Sequence, residues 1–360
     1  QDAKNCLFDN ITFDNVSVWA KKNKAGAVAG TAENCRFLNI TVKNSDFTTD
    51  GEYASAVVGY AKNCVFNGIE VNACEATAHD DKVGGVVSHS ESNTIENVDI
   101  RNSFFKTEKR YGGGIAGYSK GSSYVNCKLD DQSCVWANGR FVFFDVRDND
   151  AYAAGIVAFS VNDKIHDCVN SALISADYDV VGGIVAWAEA DTEVVDCLNT
   201  GMVIALTKNE LNNGFYDNYK TKNGMTCVEK TYRGTKYTVR RIRKETEREI
   251  YGGIIGFMVQ GQISRCTNYG SVYAYDDGGG IVGLTWEESI SDCLSDFYGE
   301  GNYNNVYAFV GYAGDRFTKL TNCLNLTKYD VTHRPKESYF KCENVLSMEE
   351  ADLQGTATVT

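Results

Sequence analysis

Cysteine returns at one interval in this chain: Cys6, Cys35 and Cys64 stand 29 residues apart, as do Cys168 and Cys197. Phe8, Phe37 and Phe66 keep the same beat, and so do Ile11, Ile40 and Ile69. Self-similarity at a period of 20–50 residues is the mark of stacked repeats, in which each unit buries its apolar face against the next. A solenoid grows coil by coil, so the 360 residues need no second core.

Each unit reads as Asn-Cys-x-Phe, a turn, Ile-x-Val, a variable turn, then a Gly-Gly-Ile-Val-Gly-aromatic segment. Forms of that last segment include GGVVSH (84–89), GGIAGY (113–118), AGIVAF (154–159), GGIVAW (182–187), GGIIGF (252–257) and YAFVGY (307–312). Short β-branched runs bounded by Gly, Asn or Asp favour strands over helices. Thirty-four glycines against a single proline, Pro335, fit tight turns between hydrogen-bonded strands. The prediction is all-β: a right-handed parallel β-helix of about ten coils of about 29 residues, with three short strands per coil. At about 4.8 Å per coil the rod would be roughly 50 Å long.

Nine of the thirteen cysteines fall in what reads as one repeat slot: Cys6, Cys35, Cys64, Cys127, Cys168, Cys197, Cys266, Cys293 and Cys323, with Val98 in the coil that lacks one. A slot shared by Cys and Val is small and apolar, which predicts reduced, inward-stacked thiols. Side-by-side Cβ vectors suit disulfides poorly. No CxxC pair exists, and His79, His89, His166 and His333 share no zinc-ligand spacing. The asparagines before these positions (Asn5, Asn34, Asn63, Asn126, Asn322 and Asn97) read as a structural ladder.

Residues 205–249 leave the stack, carrying 11 Lys and Arg against 6 Asp and Glu, a local balance of +5 in a chain of net charge −13. Its TCVEKTYRGTKYTVRRI portion predicts a hairpin around Arg233-Gly234-Thr235-Lys236, either a loop on a binding face or a cover on the acidic flank. A solenoid over 1–323 with this insertion is expected, followed by a C-terminal cap and the start of a linker over 324–360.

The Gly-apolar-apolar-Gly segments, followed in most coils by an Asn/Asp-Cys pair, resemble the GLUG-motif repeats of bacterial surface proteins of gut Bacteroidetes and Firmicutes. Such repeats occur in adhesin-like proteins and beside immunoglobulin A protease modules, and ENVLSMEEADLQGTATVT (343–360) resembles the junction that ends such arrays. SAVVG (55–59) and GGVVSH depart from the motif. The zinc signature HExxH is absent, so no peptidase activity carries over. The resemblance implies a secreted or cell-surface location, as does an opening Gln-Asp-Ala-Lys that fits a mature secreted chain.

The acidic balance argues against nucleic-acid binding, and no apolar run is long enough for a transmembrane helix. Two columns are candidate sites. The aromatics closing the Gly segments (Tyr60, Tyr118, Phe159, Trp187, Phe257 and Tyr312) form a sugar-binding stripe if they point outward, and otherwise core or a corner stack; strand alternation leaves both open. The carboxylates before those segments (Glu52, Asp81, Asp179, Glu249 and Asp276, interrupted by Arg110 and Ala151) are solvated turn residues or, at Asp81, Asp179 and Asp276, ligands of Ca²⁺, with no other cofactor expected. The expectation is a non-catalytic adhesin-like binding or spacer module, monomeric, with a glycan or protein surface as partner. A carbohydrate-active β-helix and a plain stalk are the alternatives.

Overall fold

The computed structural model describes residues 2–139, 151–177, 180–242, 250–274, 277–301, 306–314, 318–330, 332–333 and 340–347. It is a parallel β-solenoid of about ten coils of about 29 residues. Among the described residues its coils form one 25-stranded sheet and two nine-stranded sheets, whose parallel ladders pair each coil with the next; a separate two-stranded antiparallel sheet lies at 226–241. One coil shows the pattern: Tyr53–Ser55 in one nine-stranded sheet, Val58–Lys62 and Val65–Asn72 in the large sheet, and Glu75–Ala78 in the other nine-stranded sheet.

The bends come from left-handed residues spaced five apart. Asn5, Asn10 and Asn15 have φ of 53°, 56° and 57°, and Asn34, Asn39 and Asn44 repeat the set at 54°, 51° and 50°. Asparagine adopts this region more readily than other side chains do, so these asparagines mark corners. Their amides also link coils on the outside: Asn97 Nδ2 donates to Asn67 Oδ1 at 3.1 Å and Asn126 Nδ2 to Asn97 Oδ1 at 2.8 Å.

Five-residue spacing corrects the single cysteine slot. Val98 pairs with Ile69 on one side and Cys127 on the other, so one inward column runs Ile11, Ile40, Ile69, Val98, Cys127. Cys168, Cys197, Cys266, Cys293 and Cys323 hold that same station, each donating from Sγ to the carbonyl two residues back. Cys6, Cys35 and Cys64 belong to a different column one bend earlier, continued by Asn93, Ser122, Asp163 and Thr192. There each corner amide donates to the side chain one coil on: Cys35 N to Cys64 Sγ (3.3 Å), Cys64 N to Asn93 Oδ1 (2.7 Å), Asn93 N to Ser122 Oγ (3.1 Å) and Ser122 N to Asp163 Oδ1 (2.7 Å). The thiols are free, and burial pushes those of Cys168, Cys197 and Cys293 well above their ordinary range.

A further column carries buried amides. Asn170 Nδ2 donates to Asn199 Oδ1 and Asn199 Nδ2 to Asn268 Oδ1, each at 2.9 Å, while the Oδ1 atoms also accept the backbone N–H of Ala172, Gly201 and Gly270. The paired glycines make room for this ladder. A Cβ on Gly182 would lie 1.7 Å from the Val185 carbonyl oxygen, where the chain doubles back, and one on Gly183 would lie 2.5 Å from Asn199 Cγ.

The stack does not stop at Cys323. Phe340–Glu343 pairs with Thr318–Thr321, and Leu346–Ser347 with Leu324–Asn325, both in parallel register. Residues expected as a cap therefore extend the large sheet, and 348–360 lie outside the described residues.

Candidate functional site

The excursion, described from Leu206 to Ile242, is a folded attachment; Ala205 still belongs to the strand Met202–Ala205, and 243–249 lie outside the described residues. Thr207 caps it: its Oγ1 accepts the Glu210 N–H at 3.2 Å, and the Glu210 carboxylate accepts the Thr207 N–H at 2.9 Å. Helical turns from Lys208 to Thr221, broken by a kink at Asn213 and Gly214, follow, and then the hairpin Thr226–Tyr232 and Thr235–Arg241. Tyr232 pairs with Thr235, so the turn is the two residues Arg233-Gly234, both left-handed at φ 46° and 80°, as a tight hairpin turn requires.

Why it docks is written in the strands beneath. CVWA, LISA, MVIA and SVYA (134–137, 173–176, 202–205 and 271–274) are buried on both faces, where DFTT (46–49) alternates with exposed positions. The outward side chains Trp136, Leu173, Met202, Ile204 and Tyr273 meet Leu211 and Tyr219 of the excursion in a second apolar cluster. Signal for this was present in the sequence, since a strand without polar alternation has both faces covered.

Polar clamps fasten the edges. Arg240 is buried; its guanidinium donates to the Asp131 backbone oxygen (2.7 Å) and carboxylate (2.8 Å) and lies 4.3 Å from the Tyr219 ring centroid. Tyr219 donates to the Ser171 carbonyl at 2.9 Å, and Trp136 Nε1 to the Leu206 carbonyl at 3.1 Å. Farther out, Lys230 pairs with Asp296 (2.5 Å), Lys208 with Glu108 (2.7 Å), and Arg233 with Asp167 (2.9 Å) and Asp196 (2.5 Å). Burial opposes ionisation of Glu108, but the Lys208 and Lys106 ammonium groups outweigh it and hold the carboxyl down to about 2. The basic excursion thus neutralises an acidic flank. Asp131→Ala should leave Arg240 buried without its counter-charge and cost about 3 kcal/mol. Accelerated amide exchange confined to the hairpin would show it; unchanged exchange would contradict it.

The hairpin tip roofs a cleft of about 390 Å³ whose floor includes Asn126, Lys128 and Asp167, with Tyr232, Arg233 and Tyr237 above.

The aromatic column lies at a corner between two sheets. Tyr60, His89, Tyr118, Phe159, Trp187, Phe257, Leu284 and Tyr312 stand in register on the large sheet, outside the main core. Tyr53, Tyr111 and Tyr152 of the adjacent sheet meet them edge-on across a re-entrant corner, as in Tyr111–Phe159 at 5.6 Å and 82°. Within the column, Tyr118–Phe159 and Phe159–Trp187 stack at 5.6 and 5.9 Å, with planes 11° and 8° apart. Stacked in this way the rings cover one another's faces, and an aromatic face is what a sugar ring packs on. Phe257 is buried, with Trp187 edge-on at 4.2 Å.

Of the proposed Ca²⁺ ligands, Asp179 and Asp276 lie outside the described residues. Asp81 is 5% exposed and pairs with Lys82 and, at 2.7 Å, with Arg110 Nε. Arg110, which interrupts the acidic column in sequence, is thus a counter-charge for Asp81. Among the described residues, no three His, Cys, Asp or Glu side chains are grouped to hold a metal ion.

Sequence reasoning missed Asp163. It is buried and accepts from Ser122 N and, at 2.7 Å, from Ser160 Oγ. Burial outweighs these bonds and pushes its carboxyl up to about 7.

No family model and no curated protein matches the chain. A solved structure described as a "putative immunoglobulin A1 protease from Bacteroides ovatus" superposes with a TM-score of 0.47 and 11% identity, over 91% of this chain and 79% of that one. No helix among the described residues is long and apolar enough to cross a membrane.

Proposed function

We propose that the chain is a surface-displayed, non-catalytic binding module of the adhesin-like GLUG-repeat kind, with the docked excursion as its binding face. The observation that supports this reading is the buried attachment of 207–242: Arg240, Tyr219 and Leu211 hold a shaped outgrowth against the rod. A plain spacer has no use for such an outgrowth, and insertions in solenoids commonly form the binding face. The coils serve to present it. Ladders of thiols, amides and aromatic rings keep the rod rigid, so the excursion is held at a fixed distance from whatever anchors the chain.

The test is saturable binding of the whole chain to plates coated with mucin, matrix proteins or immobilised glycans. Binding to one or more of these coatings is expected. Indifference to every coating would leave only a stalk.

A further inference from the structure

We infer that the cleft beneath the hairpin tip is a subsite for a saccharide bearing a carboxylate. The inference rests on the binding-module reading and gives it a location and a ligand class. About 390 Å³ lies toward the small end of the range for small-molecule sites, matching one or two sugar rings rather than a folded partner.

The lining has the mixed chemistry a sugar requires. Asp167 and the Asn126 carbonyl are acceptors placed for hydroxyl groups; Asn126 spends its Nδ2 on Asn97, and among the described residues no donor reaches its Oδ1. Tyr237 adds a half-buried ring beside the Val169–Leu198 cluster, a surface for the C–H face of a pyranose. One face of Tyr232 is already taken by the Arg233 guanidinium, 5.2 Å from its centroid.

Charge accounting selects an acidic sugar. Arg233 is committed to Asp167 and Asp196, and Arg265 binds Asp196 again at 2.7 Å. Lys128 makes no ion pair among the described residues and is exposed at the cleft. It is the cation left over in a cleft whose carboxylates are already neutralised. A single carboxylate satisfies it, whereas a dianionic phosphate would face Asp167 and Asp196 with one free cation. A cleft of about 390 Å³ suits one or two sugar rings better than an extended peptide, which needs a longer groove.

Titration calorimetry of the whole chain with a hexuronic-acid trisaccharide, a neutral hexose trisaccharide and an acidic tripeptide tests this. The hexuronate should saturate one site and bind at least tenfold tighter than the neutral sugar. Lys128→Ala should weaken hexuronate binding at least tenfold with the melting temperature unchanged, and Lys128→Arg should largely restore it. Tyr237→Ala can loosen the hairpin, so the exposed Lys128 is the deciding position. No saturable hexuronate binding, equal binding by Lys128→Ala, or tighter binding of the peptide would overturn the inference. If Lys128→Ala leaves adhesion to coated plates intact, the subsite fails while the binding-module reading stands. If the unaltered chain adheres to nothing, that reading fails too.

Discussion

Replacing Asn199 by leucine is expected to be among the most damaging single changes in the rod, costing about 4 kcal/mol. Asn199 joins three coils: it accepts from Asn170 Nδ2 and Gly201 N, and donates to Asn268 Oδ1. Leucine strands two buried donors at roughly 1–3 kcal/mol each. Its branch must also enter space bounded by Gly183 and Gly270, where even an added Cβ on either glycine would lie within 2.5 Å of the Asn199 amide. Nearest-neighbour coupling spreads this loss to the adjoining coils. A lowered urea midpoint together with fast exchange around 170–201 and 268–270 would show it. Lys236→Ala, at the exposed hairpin tip, should leave the midpoint alone. A midpoint for Asn199→Leu within error of the unaltered chain would show that the ladder does not hold the coils.

Asp163 should make the rod less stable as pH rises. Its carboxyl is held near 7 in the fold and returns to about 3.8 when unfolded, so between those values the folded chain holds a proton that the unfolded chain has released. Stability therefore falls between about pH 4 and pH 7, by up to about 4 kcal/mol at 1.36 kcal/mol per unit, and stays at the lower level above pH 7. Asp163→Asn keeps the shape without the charge. It should melt higher than the unaltered chain at pH 8, match it near pH 4, and lose the slope between. Equal melting at pH 8 would mean that Asp163 is ionised in the fold at little cost.

Much of the rod was legible because a solenoid repeats its demands: the period, the Gly segments and the Arg233-Gly234 hairpin each rest on one local rule. The cysteine slot was misread because left-handed bends recur every five residues, and Cys can follow more than one of them. Cys64 and Cys127 obey the same local rule at different corners, and only the pairing of Val98 with Ile69 separates them. The aromatic column resisted assignment for a three-dimensional reason. Alternation leaves the direction of Trp187 open because Ile184 and Val185 before it are both apolar, and only the corner between the sheets puts Tyr152 against its edge. Asp163 was silent because nothing adjacent in sequence marks it; its partners Ser122 and Thr192 come from neighbouring coils. The excursion was half legible. Its charge pointed to the acidic flank, while the unbroken apolar runs CVWA and MVIA, which carry the face it covers, went unread.

The claim that the docked excursion is the working face is tested most directly by blocking it without changing the chain. Monovalent antibody fragments against the hairpin, 226–241, and against the first two coils, 2–49, would be compared in the plate-adhesion assay. The hairpin-directed fragment is expected to abolish adhesion while the other leaves it intact. Adhesion that survives the hairpin fragment but is lost to the N-terminal one would place the binding face elsewhere on the rod.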